Sequence, residues 1–171
     1  MIRNLIMLML FLLLGSKTCL CQRGPLANYH EGIFFEVSGT SIGYSLSYER
    51  VFVNRPDVTL ASRIGGGLTS KDVYIPIGME AFFLSGNHHI ILAPTATIHV
   101  ATNRRWDFFE QSDTFLNLIL GMGYRYQSRG SRAFFQVLFA PAAIFDPTPS
   151  QFTEAPPELI GRWGLGLGFK L

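Results

Sequence analysis

Trp163, Leu165, Leu167, Phe169 and Leu171 alternate with Gly164, Gly166, Gly168 and Lys170, so the end of the chain repeats with a period of two. That period is the signature of a β-strand, whose successive side chains point to opposite faces. Glycine along one whole face is a poor strand choice unless that face is crowded or the strand must bend. A narrow barrel interior supplies that crowding. The constraint is tight, because few other folds ask for a strand with one bulky face and one bare one.

The alternation recurs upstream. Tyr44, Leu46 and Tyr48, with Ile42 before them, oppose Gly43, Ser45, Ser47 and Glu49. Val73, Ile75, Ile77, Met79, Ala81 and Phe83 share a face opposite Gly78 and Glu80, and Ile90, Leu92, Pro94, Ala96, Ile98 and Val100 oppose Ala93, Thr95, Thr97 and His99. With less regular stretches added, strands are expected at Ile33–Ser38, Ile42–Glu49, Val58–Gly66, Val73–Phe83, Ile90–Val100, Phe115–Tyr126, Phe134–Ile144 and Arg162–Leu171. Most have the roughly 9–11 residues that a tilted strand needs to cross a bilayer. Asn54–Asp57, Ser85–His88 and Ser128–Ser131 read as short turns. Thr102–Asp113 and Asp146–Leu159 read as long loops, Leu68–Asp72 as an intermediate one, and Gly39-Thr40-Ser41 as a very short first external loop. Short turns on the periplasmic side and long loops outside are the pattern of an outer-membrane barrel. A soluble lipocalin-like barrel also has eight strands, but it turns its apolar face inward and carries a charged exterior. Only 15% of this chain is charged, and the face opposite the apolar one is small.

The N-terminus is a separate segment. Arg3 precedes the apolar run Leu5–Leu14, and Cys19 and Cys21 offer small residues ahead of Gln22. The run is too short to span a bilayer and has the form of a secretory h-region. Residues 1–21 are therefore expected to be a signal peptide and residues 22–171 the barrel, with a membrane anchor or lipoprotein processing as the competing readings. Cleavage there removes both cysteines, leaving no disulfide or thiolate chemistry. It also removes Arg3 and Lys17 from 14 basic residues, leaving 12 against 12 acidic ones. A neutral chain gives no support to nucleic-acid binding.

If the apolar face meets lipid, the other face fills the lumen. Parity places Glu36, Glu49, Arg63, Glu80, His99, Asn117, Arg125, Gln136 and Arg162 on it. Three carboxylates against three guanidiniums predict a paired polar network in an interior just wide enough for side chains. A closed plug is the expected role, and a narrow small-solute channel is the alternative.

On these residues the chain resembles small outer-membrane barrels of the OmpA/OmpX type, as found in Bacteroidota. In that class the last strand ends in a glycine and spaced hydrophobic residues that the barrel assembly machinery reads. Gly166, Phe169 and Leu171 match that spacing, with leucine where phenylalanine or tryptophan is usual. The resemblance implies architecture and an outer-membrane location, contact with lipopolysaccharide, a role in envelope structure or partner binding, and no specific activity. No peptidoglycan-binding domain is expected after the final strand.

Lipid A acyl-modifying enzymes also use small barrels, and they need a histidine, a serine and a carboxylate near the interface. His99 stands at an outer strand end, but Ala101 and Thr102 follow it and parity turns it inward. No catalytic residue, cofactor or metal is expected. His88 and His89 are read as a solvated turn, lacking the partners of a zinc site. Gly65-Gly66-Gly67 lacks the Lys-Ser/Thr of a phosphate loop. Arg104, Arg105 and Trp106 form the most unusual loop sequence, a candidate for recognition of lipopolysaccharide phosphates or a protein, against an interfacial aromatic girdle.

Overall fold

A computed structural model describes residues 29–41, 43–69, 71–84, 86–102, 112–146 and 159–171. The loop residues Arg104, Arg105 and Trp106, and the N-terminal segment, lie outside them. Among the described residues eight strands form: β1 (Glu31–Ser38), β2 (Tyr44–Asn54), β3 (Val58–Leu68), β4 (Asp72–Phe83), β5 (His88–Thr102), β6 (Ser112–Tyr126), β7 (Ala133–Phe145) and β8 (Leu159–Lys170). Each pairs antiparallel with its sequence neighbour, and β1 pairs with β8 to close the barrel.

The faces follow the alternation. Leu46, Ile77, Leu118, Leu165 and Phe169 point outward, with Trp163 69% exposed. Glu36, Glu49 and Arg125 point inward and are 0% exposed. A molecule with its hydrocarbon outside and its charges inside is stable where the surroundings are lipid, and closure leaves no strand edge unpaired there. The chain is an all-β, eight-stranded antiparallel barrel of the outer-membrane type. β5 and β6 reach 15 residues and β7 reaches 13, longer than a bilayer crossing needs.

The glycines of β8 have the predicted cause. A Cβ on Gly166 would overlap the Phe34 ring, and one on Gly168 would overlap Phe134. Those two rings stack 5.8 Å apart and occupy the volume that the bare face of β8 leaves.

Pro76, Pro94 and Pro141 stand inside β4, β5 and β7. A proline has no N–H to give a ladder, and each interrupts pairing on one flank. The β3–β4 ladder jumps from Ile64↔Ile77 to Gly67↔Tyr74, β4–β5 from Gly78↔Thr95 to Ala81↔Leu92, and β6–β7 from Ile119↔Ala142 to Met122↔Phe139. On its other flank each proline stays in register, as Pro76↔Thr97, Pro94↔Leu120 and Pro141↔Gly161.

Two sequence expectations are corrected. Gly39-Thr40-Ser41 is not an external loop: the turn folds into the barrel, and Thr40 and Ser41 are both 0% exposed. Ser38 (φ 60°) and Gly39 (φ 74°) adopt the left-handed conformation that reverses the chain so sharply. His88 and His89 are not a turn but open β5, with His89 buried in the lumen and its Nδ1 3.1 Å from the Leu84 carbonyl.

Candidate functional site

The site with the densest chemistry is the mid-lumen. Arg63 on β3 binds Glu36 of β1 through Nη2 at 2.6 Å and Glu80 of β4 through Nη1 at 2.5 Å. Arg125 on β6 binds Glu49 of β2 at 3.0 Å and Glu80 at 3.3 Å, both through Nη1. Glu80 therefore bridges the two guanidiniums and also accepts from Gln136 Nε2 at 3.2 Å. The chain Glu36–Arg63–Glu80–Arg125–Glu49 crosses the barrel.

Aromatic rings flank both cations. Arg125 lies 3.5 Å from the Phe134 centroid and 4.6 Å from that of Phe82, and Arg63 lies 4.8 Å from that of Phe34. A guanidinium stacked on a ring keeps its in-plane N–H groups free for carboxylates. Where water is displaced, these contacts offset part of the desolvation of each charge.

Both ends of the network are tied down. At one end Tyr29, just before β1, donates to Glu49 and accepts from Arg125 Nη2 at 2.5 Å. Burial pushes the Tyr29 phenol well above its ordinary value, opposed by the Arg125 guanidinium. The hydroxyl therefore remains a donor. At the other end the inward-folded turn takes over. Thr40 donates its N–H and its Oγ1 (2.9 Å) to Glu36, accepts from Arg63, and receives Thr97 Oγ1 on its carbonyl at 2.7 Å. One threonine thereby joins β1, β3 and β5.

The structure thus brings together Glu36, Glu49, Arg63, Glu80 and Arg125, with Gln136 on Glu80, and leaves three of the residues grouped with them from sequence elsewhere: Arg162, His99 and Asn117, whose buried amide has no hydrogen-bond partner among the described residues. Arg162 stands apart: no described carboxylate pairs with it, and its Nη1 has no hydrogen-bond partner. The network holds three acids against two arginines, not three against three. His99 lies at the long-loop end, with Nε2 3.0 Å from Asp72 Oδ1 and its ring between Tyr74 (4.7 Å) and Phe115 (5.5 Å). Gly166, Phe169 and Leu171 lie along β8 and its end, Gly166 facing the lumen and the other two facing out.

Tyr29, Thr40 and Asp72 were not among the residues read from sequence. Tyr29 precedes the first alternating stretch, and Thr40 sits in a turn. The absence of an apolar residue in Gly39-Thr40-Ser41 was the available hint for Thr40, since a short turn folding inward must bring polar groups to a polar lumen.

Among the described residues no cluster of histidine, cysteine or carboxylate groups suits a metal ion. No family model matches the chain, and no curated protein matches it. Solved structures to which it is similar include the Yersinia pestis outer membrane protein Ail in a phospholipid bilayer nanodisc, at 12% identity and TM-score 0.49, covering 84% of this chain and 100% of that one. The N-terminal β-barrel domain of Pseudomonas aeruginosa OprF is another, at 15% identity and TM-score 0.48, covering 82% and 95%. The apolar exterior of the closed barrel sets this chain in a membrane, and barrels of this build stand in the bacterial outer membrane.

Proposed function

We propose that the chain is a non-enzymatic outer-membrane barrel whose lumen is shut by the Glu36–Arg63–Glu80–Arg125–Glu49 network. Its role is then in envelope structure, or in binding a partner through the two long loops, residues 103–111 and 147–158. The observation that carries this reading is the way opposite walls meet across the lumen. Glu80 of β4 touches Arg63 of β3 and Arg125 of β6, while Arg125 reaches Glu49 of β2. A solute would have to part ion pairs that are buried and stacked on Phe34, Phe82 and Phe134. Opening such a pair without replacing its partners costs several kcal/mol.

The signal peptide expected at residues 1–21 and the C-terminal assembly signal fit this reading, as export and insertion by the barrel assembly machinery require both. The test is conductance in planar bilayers, using protein whose folding is checked by heat-modifiable migration on a denaturing gel. A folded barrel with no steady current is the expected result. Open-channel currents of porin size would overturn the closed lumen.

A further inference from the structure

We propose that a groove on the lipid-facing side of β5–β8 holds one acyl chain of an outer-leaflet lipopolysaccharide, an inference that rests on the membrane reading above. The groove is open along its outer side, has a volume of about 580 Å³, and is lined by apolar residues with the exception of Thr95. Its relief follows from the ladder. Ala96, Leu118, Ala143 and Leu159 stand side by side across four strands, alternating small and large. One step toward the short-turn end, Pro94 pairs with Leu120 and Pro141 with Gly161. Small residues thus run along β5 and β7 on both sides of the β6 leucines. The other side of the barrel differs: Ile33, Tyr48, Ile64 and Ile77 form one row with no small residue among them.

A lipid tail is as apolar as leucine, so transfer from the bilayer gains nothing at a barrel surface. The number of atoms in contact decides instead. A chain lying in a trough touches protein on three sides, where a chain on a flat row touches on one, and each added carbon pair contributes dispersion. The groove is continuous with the lipid-facing belt, so hydrocarbon is already its surrounding. Its wall is too apolar to satisfy a peptide backbone. Nine residues line it, well short of the roughly 20–30 a side of a stable protein interface, which disfavours a second copy. The Ala96–Leu159 row lies on the long-loop half of the barrel. With those loops outside, the groove opens to the outer leaflet, where lipopolysaccharide supplies the chains.

The test is native mass spectrometry of the full chain purified from outer membranes in mild detergent, compared with Ala143→Phe, Ala96→Leu and Val37→Phe. The first two fill the groove. The third puts the same phenylalanine on the lipid face of β1, away from the groove, where Val37 is 39% exposed. Wild type and Val37→Phe should carry the mass of one lipopolysaccharide. Occupancy should fall roughly tenfold in Ala143→Phe, equivalent to about 1.4 kcal/mol, and less in Ala96→Leu, which answers alone if the phenylalanine variant does not fold. The proposal is overturned if wild type carries nothing, a phospholipid or a second copy, or if folded groove-filled variants keep wild-type occupancy. Heat-modifiable migration of each variant reports the barrel separately, so its loss in wild type would sink the membrane reading instead.

Discussion

Arg125 and Arg162 are both inward-facing arginines of one barrel, and they live in different chemistries. Arg125 sits at mid-lumen with Glu49, Glu80 and Tyr29 on its nitrogens and Phe134 against its face. Arg162 sits in the long-loop half, where the walls are small: Ser45, Ser47, Gly65, Gly67, Ala140 and Ala142 all face inward there. Its guanidinium has no carboxylate among the described residues. The same residue type on the same face ties a network together in one half and, among the described residues, meets no carboxylate in the other. What separates them among the described residues is the reach of acids from facing strands.

The sharpest way to break that contrast is to remove the mid-lumen cation. Arg125→Met should destabilise the barrel by about 3–5 kcal/mol, because it leaves Glu49 and Glu80 buried with too little positive charge. Denaturant unfolding in liposomes would read this, and a loss under 1 kcal/mol would show that the network is not structural. A smaller effect is expected where the turn closes the network. Thr40→Val keeps the shape and removes the hydroxyl that joins Glu36 to Arg63, at a cost of about 1–3 kcal/mol. Hydrogen exchange should then quicken in the turn between β1 and β2 before it does elsewhere. The smallest effect is expected at Arg162. Arg162→Gln should leave stability within about 0.5 kcal/mol of the parent, in the range of uncoupled substitutions. A loss comparable to that of Arg125→Met would mean that Arg162 has a partner of equal weight.

How far these features were legible follows from the nature of a period of two. Alternation assigns each residue a face, which is why Glu36, Glu49, Arg63, Glu80 and Arg125 could be grouped before any pairing was known. Pairing is another matter, because it depends on register and on the reach of long side chains. Glu49 stands directly across from Arg63 in the β2–β3 ladder, yet Arg63 turns to Glu36 and Glu80 while Glu49 is taken by Arg125. Arg162 illustrates the same limit from the other side, since its parity is correct and, among the described residues, no acid stands at its height in the barrel. The inward turn was hidden for a third reason: Thr40 is held by Thr97, 57 residues away, and no local pattern encodes such a contact. The strand prolines did not hide their strands, since Pro76, Pro94 and Pro141 all fall inside stretches already expected as strands. Proline normally argues against a central strand, and here a closed barrel holds each one by keeping the ladder on its other flank.

The network draws one charge from each of five strands: Glu36 from β1, Glu49 from β2, Arg63 from β3, Glu80 from β4 and Arg125 from β6. No strand carries its own counter-ion among these five. A sheet of two or three strands entering lipid would therefore expose ionised groups to hydrocarbon, at a cost of several kcal/mol for each. The first four strands bring three acids and a single arginine, and β6 brings the second arginine, which still leaves the acids one ahead. Closing the cylinder and pairing its interior charges are thereby coupled: the ion pairs exist only when β1 to β4 and β6 stand around one lumen.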